Sequence, residues 1–355
     1  MLKPEDDPTC KRPQKKIKIE DAVGLSIPHD MTEIIPGKFK GPSFHRGQKI
    51  EAGDLCHLMR LGKRHIYVLE LGKDEVHEDE AVLEIAEALS GPGVTYTPNP
   101  SEGKIQLFAA TDGLFTVKVD PLISLNEIQD VMCASIHTHT PVKKGQKLAG
   151  TRAVPLVIRR PVLDQALELA KHHFPIFSVK PFIMHKVYLI ITGNEVYQGI
   201  IEDRFEGIVR NKVTEMGSML LETVILPDDE NDIANHLKRF LSQGADLIVT
   251  TGGMSVDPDD VTRIGIYQAG VDRMYYSSAV LPGAMFLLAY RGDIPIMGIP
   301  ACALYHKATI FDLILPRILS GERPNAKDLA RLAHGGLCLD CPTCHYPACP
   351  FGKGS

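Results

Sequence analysis

From about Lys186 to Leu319 the apolar positions fall into a repeating order of runs and helical stripes. Val187-Tyr188-Leu189-Ile190-Ile191 is a near-continuous apolar run, the pattern of a strand buried on both faces. Phe205 to Leu220 reads as a helix and Glu222 to Leu226 as a second strand. Glu230 to Gln243 is amphipathic, with Ile233, Leu237, Phe240 and Leu241 on one face. Asp246 to Thr251 is a third strand, followed by a polar glycine turn and a helical pattern at Val261, Ile264, Ile266 and Ala269. Shorter strands are predicted at Met274 to Tyr276, Phe286 to Tyr290 and Pro295 to Ile299, and a closing helix from Tyr305 to Leu319. Strands alternating with helices predict an α/β domain, about 185–322, with a parallel sheet and right-handed crossovers.

The pattern before this domain is different. Leu55, Leu58, Met59 and Leu61 mark a short helix, and Ile66 to Leu71 a strand. A second helix starts at His77-Glu78-Asp79-Glu80 and places Ala81, Ile85 and Leu89 on one face. His77 and Glu80 lie one turn apart and could share a metal, but acids also gather at a helix start because its dipole favours them. From Gly103 to Val119 the period is two: Ile105 and Leu107, then Phe115, Val117 and Val119, are broken by Thr111-Asp112-Gly113 in the manner of a hairpin. Another strand is predicted from Val154 to Ile158, and His137 and His139 would share a face on a strand. Residues 20–180 thus read as small α+β and β-rich modules, preceded by a flexible polar arm at 1–19 and followed, beyond the α/β domain, by a tail at 323–355.

Composition adds limits. Of the 355 residues, 44% are hydrophobic and 23% charged, which is enough for large cores. A net charge of -5 argues against a nucleic-acid binder held by bulk electrostatics. The polar stretch Met1 to Ile19 is unlike a secretory signal, although Lys11 to Lys18 has the look of a nuclear signal as well as of a solvated arm. No apolar run reaches membrane-spanning length, so a cytoplasmic protein without a membrane partner is expected. Eight cysteines are present, and four crowd the tail as Cys338-x2-Cys341-x2-Cys344-x4-Cys349-Pro350. In a cytosolic chain such clustering points to metal. The run is close to the spacing of bacterial iron–sulfur proteins, though their last gap is three, while zinc sites usually split their cysteines into two pairs. A [4Fe–4S] cluster or Zn²⁺ is therefore expected there, with His345 or His334 as substitute ligands in the zinc case.

The chemistry concentrates after the third strand, at Thr250-Thr251-Gly252-Gly253-Met254-Ser255-Val256-Asp257-Pro258-Asp259-Asp260. Ligands in open α/β sheets sit at the carboxyl ends of strands. Paired glycines let a backbone approach a ligand, and amides opening a helix favour an anion. Carboxylates at the same place repel phosphate unless a divalent cation intervenes, and Mg²⁺ is commonly held by one or two carboxylates plus substrate phosphates. The same residues also fit a surface turn with a capping aspartate. The first strand has a parallel ending, Thr192-Gly193-Asn194-Glu195.

Together these two stretches resemble the molybdopterin-binding domain shared by the molybdenum-insertion and adenylyltransferase enzymes of molybdenum-cofactor synthesis, whose patterns T-G-[DN]-E-[LV] and G-G-x-S-x-G-x-x-D occur in the same order. Leu281-Pro282-Gly283-Ala284 resembles that family's P-G-K-P, and Gly298-Ile299-Pro300-Ala301-Cys302-Ala303 its G-L-P-G-N-P. The resemblance covers about 185–322 and implies a three-layer fold. Arg46-Gly47-Gln48-Lys49-Ile50 through Leu61-Gly62, with the long N-terminal region, resembles the insertion enzymes (molybdopterin molybdenumtransferases) more than the short adenylyltransferases. Asp257 replaces the motif's third glycine, Ala284 the lysine, and Ala301-Cys302-Ala303 the G-N-P residues. The family's N-terminal Met-Asp-Gly signature is not evident.

The resemblance implies adenylated molybdopterin and molybdate as substrates, with AMP released as molybdenum is inserted. Glu195, Asp260 and Asp257 would act in catalysis, with Glu195 and Asp260 holding Mg²⁺. Thr192, Gly193, Asn194, Thr251, Gly252, Gly253, Met254, Ser255, Pro282 and Gly283 would bind the substrate. Asp228, Asp229 and Asp203 are either outer contacts or helix caps. Partners would be other cofactor-synthesis proteins, a molybdoenzyme, or further copies of the chain. Two other functions remain open: a non-catalytic pterin carrier or redox and metal sensor, favoured by the lost lysine and asparagine, and an adenylyltransferase or nucleotide-pyrophosphate hydrolase.

Overall fold

The computed structural model describes residues 15–68, 71–254, 257 and 260–354. Residues 1–14 of the polar arm, with Cys10, and Ser255 and Asp259 therefore lie outside the described residues, while residues 15–19, expected to belong to the arm, are folded into a strand and a small core.

Three regions build the chain. In the first, strands Lys15–Lys18 and His65–Val68 pair antiparallel around a hairpin, Met31–Ile35 with Phe39–Phe44, and a helix, Leu55–Arg60. Ile19, Ile27, Met31, Phe44, Ile50, Leu58 and Ile66 form its own small core. In the second, helices Glu78–Leu89, Val119–Glu127 and Arg160–His172 cover a four-stranded and a three-stranded antiparallel sheet around a separate core.

The hairpin expected between residues 103 and 119 does not form. Lys104–Ala109 pairs with Val94–Tyr96 and Lys147–Ala153, whereas Gly113–Val117 pairs with Thr140–Val142 and Phe177–Pro181. Asp112 accepts from the Lys144 amide at 2.7 Å and the Lys143 ammonium at 3.0 Å, so the link carries the chain from one sheet to the other. Val119 opens a helix, the strand expected from Val154 to Ile158 forms only as Val157–Arg159, and a strand that was not expected, Lys147–Ala153, precedes it. His137 and His139 lie in the turn after strand Val131–Ser135 and share no strand face. His77 caps its helix by accepting from the Asp79 amide at 3.1 Å, and its Nε2 lies 3.1 Å from the Pro28 carbonyl oxygen, so its ring is engaged away from Glu80.

The third region is the predicted α/β domain: β1 (Lys186–Thr192), α1 (Phe205–Glu215), β2 (Met219–Leu226), α2 (Glu230–Ser242), β3 (Leu247–Thr251), α3 (Thr262–Gln268), β4 (Arg273–Tyr276), β5 (Leu287–Arg291), β6 (Ile294–Ile299) and α4 (Ile310–Leu319). The six-stranded sheet has the order β2-β1-β3-β6-β5-β4. Strands β2, β1, β3 and β6 are parallel, and β5 and β4 run antiparallel at one edge. The sheet is mixed because short links, such as that between Arg291 and Ile294, permit only antiparallel neighbours. One face packs on α1 and α4 and the other on α2 and α3, giving three layers. Two boundaries move: α1 stops at Glu215, where Gly217 turns the chain into β2, and α4 starts at Ile310 behind a Thr309–Asp312 capping box. Ile264 is half exposed rather than inward.

The tail packs on this domain. Helix α5 (Ala326–Arg331) is capped by Asn325. Leu281 and Leu337 then form an isolated parallel bridge, Tyr346 donates its hydroxyl to the Asp312 carbonyl at 2.8 Å, and Phe351 is buried in the α1–α4 core. No helix of the described residues is long and apolar enough to cross a membrane.

Candidate functional site

The parallel strands β1, β3 and β6 end on the same side of the sheet, and the turns that follow them meet there. Strand β1 ends at Thr192, which is buried. Its hydroxyl donates to the Thr251 carbonyl at 3.2 Å and sits 2.9 Å from the Thr262 hydroxyl. The ends of β1 and β3 are thereby fastened to each other and to α3.

Gly252 and Gly253 follow β3 with φ of +84° and +55°. A Cβ at Gly252 would lie 2.0 Å from the Thr192 carbonyl oxygen, and one at Gly253 2.3 Å from the Thr262 hydroxyl. The close approach that the paired glycines permit is thus between the two turns and α3. Helix α3 begins only at Thr262, so its first amides do not follow the glycines directly. Met254 is likewise structural: its methyl group packs over Gly298 in β6, and its carbonyl accepts from the Tyr276 hydroxyl at 2.7 Å. The hydroxyls of Thr250 and Thr251 are buried and lack a hydrogen-bond partner among the described residues.

On the β1 side, Gly193 adopts φ +144°, and a Cβ there would meet the Glu195 carboxylate at 2.9 Å. Glycine lets Glu195 fold back over the strand end. The next residue is clamped from β2: the Asn194 amide donates to the Asp228 carboxylate at 2.9 Å, and the Asp228 amide to the Asn194 side-chain oxygen at 3.3 Å. Asp229 accepts from the amides of Asn231 and Asp232 and caps α2, and Asp203 accepts from those of Phe205 and Glu206 at the start of α1. Of these three, two are caps and Asp228 supports the site. Asp257 and Asp260 fasten their own turn, the Asp257 amide donating to the Asp260 carboxylate and the Asp260 amide to the Asp257 carbonyl, both at 3.0 Å.

The third wall is Leu281-Pro282-Gly283, ahead of β5. Gly283 has φ +133° and no space for a Cβ beside Ile310. The fourth is the loop after β6, Pro300 to Tyr305. These walls enclose a recess of about 880 Å³, lined by Thr192, Glu195, Gly252, Gly253, Met254, Asp260, Pro282 and Gly283. That volume suits a sizeable small-molecule ligand. Of the expected site residues, Gly193, Asn194, Thr251 and Asp257 stand behind or beside the recess rather than in its lining. A larger opening of about 1030 Å³ lies between residues such as Lys143 and Lys212; it shares Leu304 and Tyr305 with the recess but none of the strand-end glycines or carboxylates. The smaller recess is the candidate because it gathers the strand-end glycines and carboxylates.

Sequence reasoning missed Arg204 and Glu202 in this lining, and it marked Cys302 only as a departure from the resembling family's motif. Arg204 sits in the loop after Asn194–Tyr197, with no motif to mark it. Burial pushes the Cys302 thiol up from its ordinary value, which keeps it protonated. The described lining carries Glu195, Glu202, Asp203 and Asp260 against the single cation Arg204. The described lining is therefore acidic, and an anion would be repelled there without a cation to offset the charge. Among the described residues, no three His, Cys, Asp or Glu side chains converge as a complete metal site. Two carboxylates lining a recess match the partial ligand set that Mg²⁺ takes when phosphates and water complete its shell.

Residues 188–320 match the family model described as a probable molybdopterin binding domain, and residues 16–70 match a domain of unknown function. A protein from Archaeoglobus fulgidus is 33% identical over 92 residues, covering 26% of this chain and 40% of its own length. A CinA-like protein from Mycobacterium tuberculosis is 38% identical over 74 residues, 21% of this chain and 17% of its own. The chain spans about a third of the length of the first curated relatives it matches. Among solved structures, the molybdopterin biosynthesis enzyme MoaB from Thermus thermophilus is 20% identical with a TM-score of 0.35, covering 39% of this chain and 98% of its own. The molybdopterin biosynthesis protein MoeA from Pyrococcus horikoshii is 14% identical with a TM-score of 0.33, covering 69% of this chain and 79% of its own.

Proposed function

We propose, from a domain of the molybdopterin-binding family at residues 188–320, that this chain binds adenylated molybdopterin in the strand-end recess and inserts molybdate into it, releasing AMP. The observation that supports this most is the recess itself, in which Gly252 and Gly253 meet Glu195 and Asp260 at the carboxyl ends of β1 and β3.

The roles follow from position. The rigid turn at Gly252 and Gly253 supplies the floor against which the phosphates rest. Glu195 and Asp260 would hold Mg²⁺, which offsets phosphate charge as the anhydride breaks. The four acidic side chains in the lining make that cation necessary, because phosphates next to them are otherwise repelled. Asp228 orients the Asn194-Glu195 turn, and Arg204 is placed to meet a phosphate at the rim. Asp257 braces the Asp260 turn through its amide.

A second reading, a non-catalytic pterin carrier, is favoured by one observation. The recess presents Ala284 and the protonated thiol of Cys302 where the resembling family has a lysine and an asparagine.

The test is an anaerobic assay with adenylated molybdopterin, Mg²⁺ and molybdate that follows AMP, with the Glu195→Ala, Asp260→Ala double variant beside it. Insertion predicts molybdate-dependent AMP release that the variant loses by at least about a hundredfold. Pterin binding without AMP release in either protein supports the carrier. AMP release that is indifferent to molybdate assigns a nucleotide hydrolase.

A further inference from the structure

We infer that Cys338, Cys341, Cys344 and Cys349 hold a polynuclear iron–sulfide cluster of the cubane class, and that this cluster fixes one wall of the strand-end recess. The inference is independent of the pterin chemistry.

All four cysteines are free, and all four line one recess of about 350 Å³ between the tail and the segment Tyr305 to Ala308. Cys341 and Cys344 are exposed, while Cys338 and Cys349 are partly covered and pack against the α1–α4 core. The inner pair is anchored to the fold and the outer pair is open to solvent.

The arrangement discriminates between ligand classes. A single Zn²⁺ draws its sulfurs to about 2.3 Å from one point. Among the described residues, which include all four of these cysteines, no three possible ligands converge in that way. All four thiols line one recess. A cubane cluster has that requirement, because each thiolate binds a different iron at a different corner of a multi-atom body. The spacing, three cysteines at intervals of three followed by a Cys-Pro, is also that of a cluster-binding run with its last gap lengthened by one.

The recess adjoins the candidate site. The Leu281 amide donates to the Gly336 carbonyl at 2.8 Å, and the Cys338 amide donates to the Leu281 carbonyl at 2.7 Å. Leu281 immediately precedes Pro282 and Gly283, which line the larger recess, and Tyr305 lines both. A ligand bound to Cys338 therefore holds the backbone that positions Pro282.

The test loads the full chain anaerobically with sulfide and equal parts of ferrous and ferric iron, the oxidation level of a cubane with two ferrous and two ferric ions. The expected result is visible sulfur-to-iron charge-transfer absorption with roughly four irons and four acid-labile sulfides per chain. A Cys341→Ser, Cys344→Ser variant should lose it while unfolding at the same urea concentration, since both positions are exposed. Hydrogen exchange at the Leu281 and Cys338 amides should slow about tenfold on loading, more than at amides in β3. One zinc per chain held without sulfide, or no iron–sulfide uptake by the unvaried chain, overturns the cluster. Unchanged exchange at Leu281 in a loaded chain overturns its role as a brace. Pterin binding measured on the same samples reports separately on the larger recess.

Discussion

Glu78 shows how a single side chain can couple folding to pH. It is buried at the start of helix Glu78–Leu89, and burial, reinforced by the neighbouring Asp79 carboxylate, pushes its pKa up to about 7 from 4.5. Because the folded pKa lies above the unfolded one, the folded chain binds more protons between the two values. Stability is then greatest below the unfolded pKa and falls as pH rises through the folded one. Glu78→Gln removes the charged form. Denaturant titrations should show the natural chain losing of order 1–3 kcal/mol relative to this variant between about pH 5 and pH 8. Parallel pH profiles for the two proteins would refute the assignment. Gly252 makes the companion point about reading single residues. The sequence marks it as a position that needs glycine, and it does. The reason lies across the sheet, where the Thr192 carbonyl leaves no room for a Cβ, and a partner sixty residues away has no local signature.

At the level of elements, the parallel strands were legible and the antiparallel ones less so. Strands β1 and β3 are buried on both faces and read as continuous apolar runs. Amphipathic α2 was equally plain, since Ile233, Leu237 and Phe240 recur at helical spacing and are fully buried. The failures share a cause. Alternation from Gly103 to Val119 identifies strands but not their partners, and Asp112 spends its carboxylate on Lys143 and Lys144 instead of closing a hairpin. Two adjacent aspartates show the same separation of pattern from partner. Asp229 caps α2, and Asp228 clamps Asn194. Asp229→Ala should cost about 1 kcal/mol in urea unfolding and leave ligand affinity unchanged. Asp228→Ala should do the reverse, weakening pterin binding about tenfold in a titration while unfolding normally. Equal effects of the two substitutions on affinity would remove Asp228 from the site.

Across the whole molecule, the α/β domain, its motifs and its order in the chain were readable because strand-end turns carry their own residue signature. Eight of the twelve described residues expected at the site line the recess, and they are less informative singly than as a set: the recess appears only when β1, β3 and the Pro282 wall are brought together. The tail was harder to place. Nothing in its spacing shows that Phe351 enters the α1–α4 core or that Lys353 reaches back to donate to Thr140 at 2.7 Å. Those contacts make the tail part of the domain and bring its cysteines beside the recess wall. The central claim is that the recess receives a phosphorylated pterin, and Ala284 offers the most direct test, since it is exposed and lines the recess at the position of the lysine in the resembling family. Equilibrium titration of molybdopterin should show Ala284→Glu binding at least about tenfold more weakly than the natural chain and Ala284→Lys binding more tightly. Identical affinities for all three proteins, with all three folded, would contradict the account and move the ligand elsewhere.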